Sequence, residues 1–312
     1  MKGKKNMQVT TTINGQTYTL TYNSSSGAYE ATLNAPQGSS YNLAGGYYPV
    51  SVSATDDAGN TATADSNHST LGSSLRLVVK EKVAPVINIT SPTEGALNTD
   101  GKPKIAFTLL DNVSQTSGFS GINLSSLVLK INGTAVAASS ITSSAVTGGY
   151  SCSYTPSTIL PDGDNSITID VKDNDGNAAS TKSITFTVDT VAPSLNVTSP
   201  TEDSITNQKT ITVTGNTSDS TSSPVTVKIL VGTADQGEVK VDSNGTFSKS
   251  ITLQEGRNTI TITATDSAGK KTTVTRTVTL KTNAPVITSV VIEPNPADAG
   301  KTYTIKVVVD EG

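Results

Sequence analysis

Hydrophobic and polar residues alternate with a period of two in three similar stretches of the chain, at residues 47–63, 164–181 and 257–273. Every second residue is apolar, and its neighbours are mostly Ser, Thr, Asp or Lys. This period predicts β-strands with one buried face and one solvated face. The apolar positions are Val50, Val52 and Ala54; Ile167, Ile169 and Val171; and Ile260, Ile262 and Ala264.

A turn rich in Asp and Gly follows each of these strands and leads into a second apolar run. The turns read ATDDAGN, KDNDGN and ATDSAGK. Asp and Gly supply the side-chain-to-backbone bonds and the positive φ angles that tight hairpins need. The pattern therefore predicts three strand–turn–strand units, with return strands marked by Ile184, Phe186 and Val188 or by Val278 and Leu280.

A second motif marks domain boundaries: VAPVINITSPTEG from Val83, VAPSLNVTSPTED from Val191 and NAPVITSVVIEPNP from Asn283. An Ala-Pro step is stiff and extended, because proline lacks a backbone donor and restrains the residue before it. The three prolines are 108 and 92 residues apart, close to the roughly 100 residues of an immunoglobulin-type sandwich. We therefore predict an all-β chain of tandem immunoglobulin-like β-sandwiches, arranged as an elongated rod. The boundaries are 1–82 for a Tyr-rich N-terminal domain, 84–190, 192–281, and a two-strand stub at 283–312.

The stub allows two interpretations, because two isolated strands are marginally stable. It is either the opening pair of a further domain or a hairpin that completes a sheet in a neighbouring subunit. Val290, Ile292, Tyr303, Ile305, Val307 and Val309 alternate along it as an apolar face. If residue 312 is the natural C-terminus, we expect this face to be a contact in a homo-oligomer.

Composition supports the β prediction. Thr and Ser together supply 90 of the 312 residues, and only 15% are charged. Threonine and valine suit a pleated surface, whereas a helical bundle would be rich in Glu, Lys, Leu and Ala. The net charge of −4 gives no basic surplus for displacing counterions, so we expect no nucleic-acid partner.

Few features of the sequence indicate the cellular compartment of the protein. The single cysteine, Cys152, cannot form an internal disulfide, and its alternating surroundings predict a small core residue. The basic start MKGKKN has no apolar segment after it, so it does not predict a signal peptide. No run approaches the roughly 18 apolar residues of a membrane span, and no membrane partner is expected.

The Ala-Pro start, the (D/E)G-x-N or GGYYPV lead-in and the ATD-x-AGN hairpin together resemble tandem bacterial immunoglobulin-like domains of adhesins, cell-wall proteins and phage virion proteins. In the first domain, INGQTYTLTYNSSSGAYEATLNAP, GGYYPVSVSATDDAGNTAT and LGSSLRLVVKEK resemble the opening of immunoglobulin-like proteins encoded beside tail genes in phages and prophages of gut Firmicutes. The resemblance implies assembly into virions in the host cytoplasm. It says little about the ligand, because such modules are spacers as often as they are binders.

Catalysis is not expected. The only histidine, His68, lies in the polar segment DSNHSTLG, and no Ser has the GxSxG surroundings of a nucleophile elbow. One Cys and one His cannot form a four-ligand zinc site. We therefore predict neither catalytic residues nor an organic cofactor.

Calcium is the one cofactor that the sequence raises. Asp173 and Asp175 lie in the turn DNDGN, and Asp189 lies in the linker VDTVAP. A turn and a linker can supply the six to eight oxygens that calcium binds. Calcium-bound bacterial immunoglobulin-like extender domains use similar turns with D-x-x-A-P linkers, which is what the resemblance implies here. The alternative is that these residues only build a tight turn, since the third hairpin has Ser and Lys at the matching positions.

Tyrosines are concentrated near the N-terminus, where six of the nine lie in the first 48 residues. Tyrosine is favoured at surfaces that are half apolar and half wet. Tyr18, Tyr22, Tyr47 and Tyr48 are the candidate binding-surface residues, although some of them must be core. With no Trp, a protein contact is expected ahead of a glycan platform.

These observations favour a non-enzymatic phage virion structural protein, of tail or decoration type, that presents immunoglobulin-like modules for weak attachment to a host surface or glycan. Its expected partners are other virion proteins, copies of itself, and a host cell-surface glycan or protein. The alternative is a fragment of a bacterial cell-surface adhesin or cell-wall spacer. A glycan-active enzyme fragment is a third class, for which we expect no turnover.

Overall fold

The computed structural model describes residues 7–111 and 118–310. Their regular structure consists of β-strands and three short 3-10 turns, at Ala44–Gly46, Gly72–Leu75 and Ala138–Ser140. The predicted all-β fold is confirmed. The chain divides into two compact units, Met1–Val188 and Asp189–Gly312. The basic start at residues 1–6 and the last two residues, on which part of the sequence analysis rests, lie outside the described residues.

The first domain is one antiparallel sheet of six strands. They are β1 (Gln8–Ile13), β2 (Gln16–Asn23), β3 (Ala28–Glu30), β4 (Tyr48–Thr55), β5 (Thr61–Ala64) and β6 (Arg76–Leu77). The order is β3-β2-β1-β4-β5, and β6 pairs with the start of β4. The predicted strand with Val50, Val52 and Ala54 is therefore present as β4, although these three side chains are only half-buried.

The second domain has two sheets. Its strands are β7 (Val86–Ser91), β8 (Leu97–Asn98), β9 (Ile105–Leu110), β10 (Ile122–Ile131), β11 (Thr134–Ala135), β12 (Thr142–Val146), β13 (Gly149–Tyr154), β14 (Gly163–Asp173) and β15 (Lys182–Val188). They form the sheets β11-β10-β14-β15-β8 and β12-β13-β9-β7. One apolar core lies between the sheets and includes Phe107, Leu109, Ile167, Ile169 and Phe186.

The third domain repeats this arrangement. Its strands are β16 (Ser194–Ser199), β17 (Ser204–Thr206), β18 (Thr210–Ser218), β19 (Thr226–Val231), β20 (Ala234–Asp235), β21 (Thr246–Thr252), β22 (Gly256–Thr265) and β23 (Lys271–Leu280). The sheets are β16-β18-β21 and β17-β23-β22-β19-β20. Ile260, Ile262 and Val278 belong to its core, as the alternation predicted.

A buried asparagine begins the long hairpin of each sandwich, within the predicted G-x-N motif. Asn165 donates from Nδ2 to the carbonyls of Pro161 and Gly163, both at 2.9 Å. Asn258 likewise donates to Gln254 at 2.7 Å and to Gly256 at 2.9 Å. The two asparagine side chains are themselves buried, and buried polar groups need hydrogen-bond partners, so the motif fixes the turn that leads into β14 and β22.

Residues 283–310 contain only the hairpin of β24 (Val286–Glu293) and β25 (Thr304–Asp310). Its antiparallel pairing has a β-bulge between Ile287 and Ser289. The pairs β7–β9 and β16–β18 also pair antiparallel, follow the same Ala-Pro step and carry one bulge each. The hairpin thus has the geometry of the opening strands of the two sandwiches, while its large apolar side chains are exposed.

Within the first unit, the first domain contacts the second domain directly. The Ser39 amide donates to the Gly118 carbonyl at 2.8 Å, and Asn42 Nδ2 donates to the Phe119 carbonyl at 2.8 Å. Gly118 has φ of 97°, and a Cβ there would lie 2.7 Å from the Gly38 Cα. Glycine is therefore required where the two backbones meet.

Candidate metal centres

Three carboxylates of the first unit converge at the start of the second domain. Glu81 precedes the Ala-Pro step, Asp111 directly follows β9, and Asp173 ends β14. One oxygen from each lies within 4.8 Å of the others. We call these residues the Asp111 cluster.

Hydrogen bonds hold the Asp111 cluster in place. The Asn177 amide donates to Asp173 Oδ1 at 2.7 Å, and its Nδ2 donates to Asp173 Oδ2 at 2.6 Å. Asn177 Nδ2 also lies 3.1 Å from Glu81 Oε1. Asp111 Oδ2 accepts from the Gly121 amide at 2.6 Å. Asp111 is 1% exposed, yet its Oδ1 has no hydrogen-bond partner.

Burial and mutual repulsion perturb two of these carboxyl groups. Desolvation, together with the hydrogen bond and the charge of the neighbouring Asp173, raises the pKa of Glu81 to about 7. Desolvation, with smaller contributions from the charges of Asp173 and Asp175, raises the pKa of Asp111 to about 6. Carboxylates this close favour either a shared proton or a bound cation. A bound cation would therefore offset the repulsion between these carboxylates.

The second unit contains a matching Asp266 cluster, formed by Asp189, Asp219 and Asp266. Its carboxylate oxygens also lie within 4.8 Å of one another. Ser222 Oγ donates to Asp189 Oδ2, and the Ser222 amide donates to Asp219 Oδ1 at 2.8 Å. Asp266 Oδ1 accepts from the Lys270 amide at 2.8 Å. Asp266 is 5% exposed, and its Oδ2 has no partner.

The two clusters use equivalent positions in each domain. Glu81 and Asp189 lie four residues before the proline of their Ala-Pro steps. Asp111 and Asp219 follow β9 and β18, the strands that pair with β7 and β16. Asp173 and Asp266 occupy the same place in the predicted hairpins. Because these equivalent positions converge in both domains, the same fold builds the cluster twice.

Two related positions lack the full set. Asp56, the hairpin aspartate of the first domain, is exposed and accepts from Asn60 Nδ2 at 3.0 Å. Its pKa is lowered by this bond, and among the described residues it belongs to no group of three such ligands. Lys281 stands four residues before the third Ala-Pro proline. The hairpin aspartate alone therefore serves as a turn residue.

The structure groups the calcium candidates differently from the sequence analysis. Asp173 and Asp189 belong to the Asp111 and Asp266 clusters respectively, while Asp175 lies outside both. Asp175 Oδ2 accepts from the Glu81 amide at 3.0 Å. Sequence reasoning missed Glu81, Asp111, Asp219 and Asp266. The signal that could have found them is that both repeats have an acidic residue at the same three positions. These positions are four residues before the proline, directly after the second long strand, and in the hairpin.

The tyrosine candidates are dispersed over the first domain. Tyr18 donates its hydroxyl to Gln16 Oε1 at 2.6 Å. Tyr22 is 45% exposed, and its ring centroid lies 5.3 Å from that of Tyr29. The Arg76 guanidinium lies 4.9 Å from the Tyr47 ring centroid. Tyr48 is 8% exposed and donates to the Gly38 carbonyl at 3.2 Å, so it is a core residue.

The remaining reactive side chains have structural surroundings. His68 Nδ1 lies 3.3 Å from the amides of Thr70 and Leu71 in an exposed loop. Cys152 is 1% exposed, as the core prediction required, and burial raises the pKa of its thiol to about 11. A thiol with this pKa carries almost no nucleophilic thiolate near neutral pH.

Two sandwiches in series define the chain as a tandem immunoglobulin-like domain protein. Comparison with protein families agrees: residues 98–190 match the family described as "Bacterial Ig-like domain", and residues 193–282 match "Glucodextranase, domain B". Immunoglobulin-like domains of this kind indicate a non-enzymatic binding or spacer role.

Among curated proteins, Bacillopeptidase F of Bacillus subtilis (strain 168) is 29% identical over 133 residues, covering 43% of this chain and 9% of that protein. The chain thus matches a small part of this relative. Among solved structures, the fibronectin(III)-like modules of Clostridium thermocellum CbhA match 63% of this chain and 94% of theirs, at 18% identity and a TM-score of 0.34. Sidekick-1 immunoglobulin domains 1–5 match 98% of this chain and 60% of theirs, at 12% identity and a TM-score of 0.38.

None of the helices in the described residues is long and apolar enough to cross a membrane.

Proposed function

We propose that this chain is a non-enzymatic structural protein whose two immunoglobulin-like domains each bind one calcium ion, at the Asp111 and Asp266 clusters. The repeated cluster, with a buried and unpartnered carboxylate oxygen in each copy, is the observation that carries this proposal. Calcium takes oxygen ligands at about 2.3–2.6 Å. Each cluster supplies three carboxylates from segments far apart in sequence, so a bound ion would join the start of each domain to two of its loops.

Thermal unfolding with calcium and with EDTA tests the proposal. A ligand that binds only the folded state stabilises it by about 2.7 kcal/mol at a concentration about 100-fold above its dissociation constant. We expect calcium to raise the melting temperature, and calorimetric titration to give two sites per chain. Asp111→Asn and Asp266→Asn should each remove one site, because each replaces a carboxylate by an uncharged group of similar size.

Asp57→Asn is the matched control, since Asp57 is an exposed hairpin aspartate of the first domain. It should keep both sites. An equal calcium effect in the wild type and the Asp111→Asn/Asp266→Asn double variant would contradict the proposal, as would an EDTA-insensitive melt of the wild type.

We further propose that the protein is a phage virion component of tail or decoration type, in which the first domain attaches to other virion proteins. The resemblance of the first domain to immunoglobulin-like proteins encoded beside tail genes supports this proposal. The two sandwiches would then present weak contacts to a host glycan or protein. Tyr22 and Tyr47 of the first domain, which are exposed and half-buried respectively, would be available for contacts with the other virion proteins.

A bacterial cell-surface adhesin or cell-wall spacer is the second candidate, favoured by the match to a Bacillus subtilis protein. Genome context separates the two. Capsid or tail genes on both sides would support the virion assignment. A longer reading frame with a signal peptide and a wall anchor would overturn it in favour of the surface protein.

A further inference from the structure

The first-domain sheet has two faces of opposite character. Cross-strand pairing places 15 residues on one face, which we call the apolar face, and none of them is charged. The opposite face carries mainly Thr and Ser, together with the charged Glu30 and Arg76. The apolar face consists of Val9, Thr11, Ile13, Gln16, Tyr18, Leu20, Tyr22, Tyr29, Tyr48, Val50, Val52, Ala54, Ala62, Ala64 and Leu77.

This apolar face lacks the covering layer that the other domains have. In the second and third domains the apolar faces of two sheets enclose a shared core. In the first domain Val9 and Tyr48 are the only buried large apolar side chains among the described residues. A sheet with one apolar face ordinarily buries it against a second layer, so the first domain has half of a sandwich.

Part of the face forms a groove between the sheet and the 3-10 turn at Gly72–Leu75. Six apolar residues line it together with the polar Thr63, His68 and Ser74, and none of the nine is an acid, a lysine or an arginine; the apolar ones are Val52, Ala54, Ala62, Ala64, Leu71 and Leu75. The groove encloses about 410 Å³, and Leu71 at its rim is 49% exposed. It is therefore open to a partner.

Charge restricts what can cover the groove. A charged partner surface would lose its hydration there without gaining an opposite charge, which is costly. A second copy of the same face brings no charge and sets apolar sheet against apolar sheet, which is how the other two domains are built. We propose that two copies of this chain associate through the apolar faces of their first domains, with the grooves at the centre of a two-fold contact.

Sedimentation of the full chain over a range of concentrations tests this proposal. We expect a monomer–dimer equilibrium for the wild type. Leu71→Glu and Ala62→Glu should weaken the dimer by about tenfold or more, because each places a carboxylate without a partner at the centre of the contact. Both sites are exposed in the single chain, so the variants should keep the circular dichroism spectrum and melting temperature of the wild type.

Two controls match these variants. Thr61→Glu lies next to Ala62 but on the opposite face, where Thr61 pairs with Thr55. Ser73→Glu lies in the 3-10 turn that directly follows Leu71, but Ser73 does not line the groove. Both controls should dimerise as the wild type does.

Three results would overturn the proposal. One is a wild type that stays monomeric up to its solubility limit, which would leave the groove to a different partner. Another is a dimer that the groove variants and the controls weaken equally. The third is a dimer that persists in the groove variants and is lost only when charges are placed on β25, since the contact would then belong to the C-terminal hairpin.

Discussion

Single polar residues determine how the backbone is held at the ends of the sandwiches. Asn165 and Asn258 are 1% and 4% exposed, and each satisfies two carbonyls of the preceding turn. A hydrogen bond of this kind contributes about 0.5–1.5 kcal/mol net to stability, and each asparagine makes two of them. These two side chains are thus more important for stability than exposed asparagines on the strands.

We predict that Asn165→Ala and Asn258→Ala each lower the free energy of unfolding by roughly 1–3 kcal/mol. Denaturant unfolding measures the change. Asn196→Ala is the control, because Asn196 is exposed on β16, and it should change stability by less than about 0.5 kcal/mol. Equal effects at the buried and exposed positions would mean that the turn bonds contribute little.

Residue types predicted the core well and the clusters poorly. Alternation identified Ile167, Ile169 and Ile260, which are all fully buried, because a period of two fixes which face a side chain takes. In the Asp111 cluster, Glu81 lies 30 residues before Asp111, and Asp173 lies 62 residues after it. Local pattern cannot show which loops meet at one end of a sandwich, since sheet order decides it. Only a comparison of the two repeats carries that signal.

At the level of elements, the hairpin of β24 and β25 differs from every other long strand pair in the second unit. All its described residues are exposed, whereas β22 and β23 contribute to a closed core. The sequence predicted two strands here, and the structure contains them. What covers them does not follow from the alternation, because an apolar face has the same pattern whether its partner is a sheet of the same chain or another subunit.

We predict that backbone amides of β24 and β25 exchange with deuterium much faster than those of β23, because a two-stranded sheet in isolation is marginally stable. Hydrogen exchange with mass spectrometry compares them directly, and β23 is a control of similar length in the same unit. Protection equal to that of β23 would show that another strand or sheet covers the hairpin in solution. Deleting residues 283–312 and measuring the mass would then decide whether this cover is a second subunit.

For the molecule as a whole, the distribution of reactive groups agrees with a binding or spacer role. General acid and base catalysis requires a titratable group within reach of a bound substrate. His68 is the single histidine of the chain. It lies in an exposed loop, where its Nδ1 accepts hydrogen bonds from the backbone amides of Thr70 and Leu71. The carboxyl groups with raised pKa lie in the Asp111 cluster, where hydrogen bonds within the protein hold them.

We predict that the purified chain hydrolyses neither casein nor soluble polysaccharide. Release of peptides or reducing sugar is the measurement, and His68→Ala controls for copurifying enzymes. An activity present in the wild type and abolished in His68→Ala would contradict the non-enzymatic assignment. The assay is informative because part of the chain is similar to a peptidase.

The acid four residues before each Ala-Pro proline bears on how such genes can be recombined. Glu81 and Asp189 stand upstream of the motif that marks the next domain in sequence, yet their side chains complete clusters inside that domain. A crossover at the Ala-Pro codons would give the incoming domain whatever residue its new neighbour ends with. An upstream neighbour ending like the third domain would bring the lysine found at Lys281 and set an ammonium group against two aspartates. A segment that carries one complete domain of this kind therefore begins before the acidic residue that precedes the Ala-Pro step. Gene fusions made at that boundary transfer the whole cluster.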